Sequence, residues 1–329
     1  MIRVALVSFA HMHAWSYARA LREMEREGRV IMAGVYDDDG ERLSKVVEAL
    51  KPRKVYRSLE EIVNDPVDAA VVTSENAKHA SMALPLLRSG KHVLVEKPIT
   101  TTLRDGNAMV EEARRAGVKL QVAFTMRYHD AVLEVKNRLK EVGELRAITC
   151  TNHGRCPFGW FVEPSLSGGG AIMDHVVHVA DLTRWFTGEE FSEVNCFVGK
   201  GIYDLKVEDN ALLLAKLQDG TPVSIDCSWS RPRNWPQWGD VFMRIVGSKG
   251  VITLNAFNQN IWLADEKGFR FSSFGPDSDR NMIEDFVRVV EEGGEPRARG
   301  EDGVQALRLV LAAYRSWREG RVVKIDELS

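Results

Sequence analysis

Ile2-Arg3-Val4-Ala5-Leu6-Val7-Ser8-Phe9-Ala10-His11-Met12-His13, followed by Ala14, Ala18 and Leu21, decides how the first half of the chain is read. The apolar run is short and continuous, as expected of a parallel strand buried on both faces. The residues at i, i+4 and i+7 after it form one helix face, and Gly28 closes that segment. A strand, a tight turn and a helix open a βαβ unit. The alternation then recurs. Strands are expected at 30–36, 68–73, 92–96 and 119–124. Between them lie an apolar face of Leu43, Val46, Val47 and Leu50, and a Ser58/Glu61 capping box. A helix through Met82 and Leu86 ends at Gly90, and another, 102–116, ends at Gly117. Residues 1–124 therefore read as an α/β domain, a doubly wound parallel sheet of the dinucleotide-binding kind.

Beyond residue 124 the texture changes. A helix is expected over 129–142. Strand-like runs follow at 147–151, 194–198, 211–217, 223–229, 241–246 and 251–254, with turns such as Asp219-Gly220 and Lys249-Gly250. A helical stretch at 171–186 interrupts them, and helices near 282–291 and 303–318 end the chain. Residues 125–329 thus read as an α+β domain on a large open, mostly antiparallel sheet.

The whole sequence bounds the function. Its 329 residues are enough for two domains. Lys plus Arg number 44 and Asp plus Glu 47, a net charge of −3, with no basic stripe to meet nucleic acid. No apolar run approaches the ~20 residues that cross a bilayer. Residues 1–7 read as a buried strand, since no small-residue cleavage site follows them. Cys150, Cys156, Cys196 and Cys227 show no paired spacing, which fits a reduced, cytoplasmic protein.

Four places carry chemistry. In the first turn Ser8, Ala10 and His13 stand where G-x-G-x-x-G has glycine, so the context of a pyrophosphate cradle is present without its fingerprint. Ser8 and the backbone N–H groups from Ala10 through His11 to Met12 are expected to serve as its donors. Glycine at the third position lets helix and strand pack closely. His13, and with it His11, is therefore expected to turn its ring out of that gap toward a ligand. Second, Asp37 ends the next strand, where a carboxylate binds the ribose 2′-hydroxyl, favouring NAD over NADP; the plainer reading is a solvated acidic turn. Third, Glu96-Lys97-Pro98 ends the fourth strand, at the edge where ligands sit in open α/β sheets. Fourth, Ser167-Gly168-Gly169-Gly170 opens a helix on which Asp174, His178 and Asp181 share a face. A carboxylate one turn from an imidazole suits a general acid/base; the plainer reading is a polar face with a structural histidine.

Together these motifs resemble the Gfo/Idh/MocA family, the glucose–fructose oxidoreductase and inositol dehydrogenase relatives. The resemblance also rests on Ser74-Glu75-Asn76-Ala77-Lys78-His79, on Gly90-Lys91-His92, on Gly143-Glu144-Leu145 and on Gly247-Ser248-Lys249-Gly250. It implies a hydride transfer between a nicotinamide and a secondary alcohol or ketone of a sugar, inositol or related polyol. Lys97, Asp174 and His178 match the catalytic set, with His178, oriented by Asp174, taking the hydroxyl proton. Asp37 matches the ribose acid, and Ser74, Asn76, His79, Glu96 and Lys97 match cofactor positions. Arg127, Trp160 and His175 are candidates on the substrate side; Trp229, Trp235, Trp238, Arg231 and Arg233 add aromatic and cationic groups there. The family's sheet implies a homodimer or homotetramer. Glu75 departs from the family's proline, and Val176 from a frequent glycine.

Other readings stay open at this point: a metal-assisted enzyme using His11, His13, His175 and His178, a redox-neutral enzyme with tightly held NAD, or a non-catalytic nucleotide-binding protein.

Overall fold

In a computed structural model, which describes residues 1–275 and 277–328, the opening run forms β1 (Ile2–Val7) and the helical face forms α1 (Ala14–Arg26). Then come β2 (Val30–Tyr36), α2 (Gly40–Leu50), α3 (Leu59–Val63), β3 (Ala69–Val72), α4 (His79–Arg88), β4 (His92–Val95), α5 (Leu103–Ala116) and β5 (Leu120–Val122). The strands pair in parallel in the order β2-β1-β3-β4-β5. β3 is buried throughout, which explains its unbroken apolar sequence. Thr102 caps α5 by accepting from Asp105 N, and Gly117 closes it in the left-handed region. Ser58 caps α3 by accepting from Glu61 N.

The second half gives α6 (Asp130–Arg138), β6 (Leu145–Arg155), α7 (Pro164–Ser167), a π-helical turn at Ile172–Val176 and α8 (Val177–Thr187). After these come β7 (Phe191–Val198), β8 (Asn210–Leu217), β9 (Pro222–Arg231), β10 (Phe242–Gly247), β11 (Val251–Asn255), β12 (Asn260–Asp265) and β13 (Gly268–Ser273). The chain ends with α9 (Ser278–Glu292), α10 (Gly300–Glu319) and β14 (Val323–Lys324). Seven strands make one sheet, β11-β10-β6-β9-β8-β7-β14, in which β6 and β9 run parallel and the other neighbours antiparallel.

Two compact units result, residues 1–125 with 277–304, and residues 126–275 with 305–328. The return of 277–304 to the first unit corrects the assignment of everything after residue 124 to the second. Arg280 on α9 anchors the return by pairing with Glu23 and Glu27 of α1.

One face of the seven-stranded sheet is buried and the other is open. β8 alternates strictly, with Leu213 and Leu217 buried but Leu212 and Leu214 56% and 60% exposed. On the open face of β6, His153 lies between two carboxylates, 2.9 Å from Asp240 Oδ2 and 3.1 Å from Asp226 Oδ1. Burial alone would lower its pKa, but these two aspartates raise it to about 9. Because the folded value lies above the unfolded one, the pairing stabilises fully below about pH 6.5 and is lost as pH rises through about 9. We expect His153→Gln to be less stable than the parent by about 2 kcal/mol at pH 6. The gap should close by pH ~10, read as thermal midpoints across that range.

Candidate functional site

In the first unit the candidate residues gather at the carboxyl edge of the parallel sheet. Strand order reverses between β1 and β3, the position where open α/β sheets bind ligands. The β1–α1 turn keeps the backbone form of a glycine turn without glycine: Ser8 is buried at φ 68°, in the left-handed region. The surrounding structure holds it there. Ser8 N donates to Tyr36 O (2.7 Å), Thr73 Oγ1 donates to Ser8 O (2.7 Å), and His11 N donates to Thr73 O (3.0 Å). Phe9 N donates to Asp37 Oδ2 (2.7 Å) and Ala10 N to Ser8 Oγ (3.3 Å). Of the N–H groups expected as cofactor donors, that of Ala10 thus closes the turn on itself and that of His11 ties it to the end of β3. Met12 is exposed beside them. The end of α1 remains suited to an anion, since His13 at its N-cap makes no capping bond and its first turn holds no acid.

Asp37 is buried at the end of β2, and its carboxylate is shared. Arg42 Nη2 donates to Oδ1 (2.7 Å) and Arg42 Nε to Oδ2 (2.8 Å), while Asp39 N donates to Oδ1 (2.9 Å). Arg42 also lies 3.5 Å from Glu75, the residue in place of the family's proline. Nothing in the residue pattern marks this guanidinium as the partner of Asp37. Ser74 and Asn76 are buried in the loop after β3. His79 is fully buried with Nδ1 2.9 Å from Pro98 O and Nε2 3.1 Å from Ser74 O, so it staples that loop to the Glu96-Lys97-Pro98 segment.

Glu96 is the most enclosed acid of this edge. Its Oε1 accepts from Tyr17 Oη (2.5 Å) and lies 2.9 Å from His13 Nδ1 and 3.8 Å from His11 Nδ1. Its Oε2 accepts from Lys97 N (2.9 Å). Burial would raise its pKa, but His11 and His13 hold it well below the usual carboxylate range. Burial would lower the pKa of His13, and the charge and hydrogen bond of Glu96 carry it above its ordinary value. Both imidazoles meet this carboxylate, His11 buried and His13 partly exposed. Lys97 is buried beside them.

In the second unit two of the three glycines, Gly169 and Gly170, are a packing requirement, while Gly168 closes α7 in the left-handed region. A Cβ on Gly169 would lie 1.9 Å from Tyr314 Oη, and one on Gly170 would lie 1.8 Å from Glu208 O. Glu208 Oε1 accepts from Gly170 N and Ile172 N and so caps the π-helical turn. Asp174 and His175 sit in that turn, a form often found at functional sites. Asp174 Oδ2 accepts from Trp229 Nε1 (3.0 Å) and lies 3.3 Å from His175 Nε2. His175 Nδ1 lies 2.9 Å from Asn152 O, so it carries a proton. His178 is half-buried at the start of α8.

The face expected to carry Asp174, His178 and Asp181 divides. Asp181 turns to Arg127, which donates Nε (2.8 Å) and Nη2 (2.5 Å) to it in a pair buried on both sides. Arg127, expected near substrate, is committed to this bidentate bridge and lies over the Trp185 ring. Trp229, taken from sequence as a substrate aromatic, is fully buried and holds Asp174 instead. Trp238 is 42% exposed and approaches the site: a Cβ on Gly154 would lie 3.3 Å from Trp238 Nε1 and 3.0 Å from His175 Cε1. Trp160 stacks on Phe161 at 3.8 Å beside the same small core. Of the four histidines in the metal alternative, His11 and His13 of the first unit converge on Glu96, and His175 of the second is bonded to Asn152 O.

Both halves of the chain match known proteins. Residues 2–124 match a family described as "Oxidoreductase family, NAD-binding Rossmann fold", and residues 132–253 match "GFO/IDH/MocA C-terminal domain". The chain is 29% identical over 317 residues to the myo-inositol 2-dehydrogenase of Thermotoga maritima, covering 91% of this chain and 92% of that one. It is 30% identical to the 1,5-anhydro-D-fructose reductase of Ensifer adhaerens, covering 83% and 84%. Among solved structures, a probable dehydrogenase from Thermotoga maritima superposes with a TM-score of 0.85 at 27% identity, covering 99% of this chain and 100% of that one. The scyllo-inositol dehydrogenase of Lactobacillus casei, solved with NAD(H) and scyllo-inositol, shares the fold with a TM-score of 0.86 at 19% identity, covering 99% of each chain.

Proposed function

Because the chain belongs to the Gfo/Idh/MocA family of NAD-binding oxidoreductases, we propose that it is a dehydrogenase of a sugar, inositol or related polyol, oxidising one secondary hydroxyl. The observation that carries this reading is the Asp174 carboxylate, fixed by Trp229 and set against an imidazole in the π-helical turn that leads into His178. NAD, when bound, supplies the hydride acceptor. The left-handed Ser8 turn, the open N-terminus of α1 and Asp37 are the parts that fit it.

His178 takes the proton from the reacting hydroxyl, and Lys97 donates a hydrogen bond that stabilises the negative charge growing on its oxygen. Asp174 and His175 form a fixed pair beside His178, held by Trp229 Nε1 and the Asn152 carbonyl. Trp238 offers a partly exposed ring face for the C–H side of a sugar. For ketone reduction the roles reverse. A screen of inositols and aldoses with NAD, read as absorbance of reduced nicotinamide, tests the reading. Turnover of at least one polyol supports it; no turnover by protein that binds NAD favours a redox-neutral or binding role.

Cofactor choice follows from Asp37 and Arg42. The acid disfavours a 2′-phosphate, and Arg42 is neutralised against it. Asp37→Ser should raise kcat/KM with NADP relative to NAD by ~10-fold or more, the scale of one charge-assisted bond. Adding Arg42→Ala should abolish that gain. A wild type that prefers NADP would contradict the ribose assignment.

We also infer a homodimer or homotetramer built through the open face of the seven-stranded sheet. Phe197 and Leu212 are cross-strand partners there, 57% and 56% exposed, with Leu214 beside them. Light scattering on the wild type and on Leu212→Glu/Leu214→Glu tests this. Four free, buried cysteines fit a reducing cytoplasm, and no described helix is long and apolar enough to cross a membrane.

A further inference from the structure

We propose that His11, His13 and Glu96 form a binding site for a first-row divalent metal ion, with zinc the best match to their donors. Among the described residues this is the one cluster of three such side chains whose ligand atoms all lie within 4.8 Å of one another. Two imidazoles and one carboxylate are a borderline-soft N,N,O set that suits zinc, cobalt or iron(II) and serves calcium and magnesium poorly. Three protein ligands with a fourth position left open are the pattern of exchangeable zinc sites.

The distances support ligation through His11 Nδ1, His13 Nδ1 and Glu96 Oε1. A tetrahedral zinc holds its ligands about 2.0–2.1 Å away, hence about 3.3 Å from one another. The His13–Glu96 separation is 2.9 Å and the His11–Glu96 separation 3.8 Å, so the observed values bracket the required one. The third edge, between the two imidazole nitrogens, lies within the 4.8 Å that spans all three ligand atoms, so ligation closes it by up to about 1.5 Å. The two rings already approach each other, with centroids 4.3 Å apart. His11 Nδ1 lies 3.8 Å from Glu96 Oε1, the same oxygen that His13 Nδ1 approaches.

The supporting groups are in place. Tyr17 Oη orients Oε1 of Glu96, and Lys97 N holds Oε2. The backbone of the turn is fixed by the bonds of Ser8, Phe9 and His11 to neighbouring strand ends. Asp279, whose Oδ2 is bonded to Ser16 Oγ, adds a second negative charge acting on His13. Glu96 and His11 are enclosed, with 0% and 3% of their side chains exposed, while His13 is 36% exposed and marks the side from which an ion enters. Ligation would free the His13 N–H from His11 Nδ1, a 3.2 Å contact, which is a single neutral hydrogen bond given up. In the sequence, histidine stands at the third fingerprint position, where glycine would be expected, two residues after another histidine.

The experiment uses the full chain without an affinity tag, stripped by chelator and titrated with Co2+ and then Zn2+. We expect one equivalent of Co2+ to give the visible absorption of a four-coordinate N/O site, displaced by Zn2+. His13→Asn and Glu96→Gln should each weaken binding ~100-fold or more, with folding checked by circular dichroism. Absence of Co2+ or Zn2+ uptake by the wild type overturns the proposal, whatever the variants do. Undiminished binding in either folded variant overturns it as well. Polyol turnover is a separate readout, so failure of the dehydrogenase reading leaves the metal result standing, and the reverse.

Discussion

Lys97→Ala and His178→Ala are each expected to lower kcat by two or more orders of magnitude on any polyol the wild type turns over, the scale of general acid–base catalysis. The two losses should differ in their pH dependence. Without His178 the rate should rise steadily with pH, because hydroxide replaces the missing base. Without Lys97 the profile should keep the limb of the remaining imidazole. Near-normal turnover in either variant would remove that residue from the mechanism. Steady-state rates across pH, with thermal midpoints as a control for folding, check both.

Arg127→Ala is expected to cost stability more than any single substitution at the proposed catalytic residues, about 3–5 kcal/mol, because it leaves the buried Asp181 carboxylate without its bidentate partner. The double variant Arg127→Met/Asp181→Leu should recover much of that loss, since no charge is then stranded. Denaturant midpoints on the three proteins measure it. A substrate-binding arginine would behave differently: Arg127→Ala would raise KM with stability unchanged.

The contrast between Arg127 and Asp37 shows what was legible in the chain. The parallel sheet was readable because a strand buried on both faces leaves an unbroken apolar run, as in β3, and because helices announce their ends, as Thr102 and Gly117 do. Asp37 lies just past the end of β2 in sequence and structure alike. Its partner Arg42 was not readable, since a guanidinium five residues on could as well have faced solvent. Motif position likewise located Asp174 but not its partners, because Trp229 and Asn152 arrive from β9 and β6, and the π-helical turn is a backbone event with no simple residue signature. Gly169 and Gly170 before it make room for Tyr314 and Glu208, which come from distant parts of the chain. The return of 277–304 to the first unit has no compositional marker, since it is written in ion pairs such as Arg280 with Glu23. The β12–β13 hairpin escaped because Ile261 and Leu263 alternate without being buried.

The most direct test of the central claim is the fate of the carbinol hydrogen. A polyol identified in the screen is prepared with deuterium on the reacting carbon, incubated with the enzyme and NAD, and the reduced dinucleotide is recovered for NMR and mass spectrometry. The account predicts one deuterium at nicotinamide C4 per ketone formed, and none in Lys97→Ala within the time the wild type completes a turnover. Product formed with its deuterium released to water, or with the dinucleotide unlabelled, would contradict direct hydride transfer and with it the roles given to Lys97, Asp174 and His178.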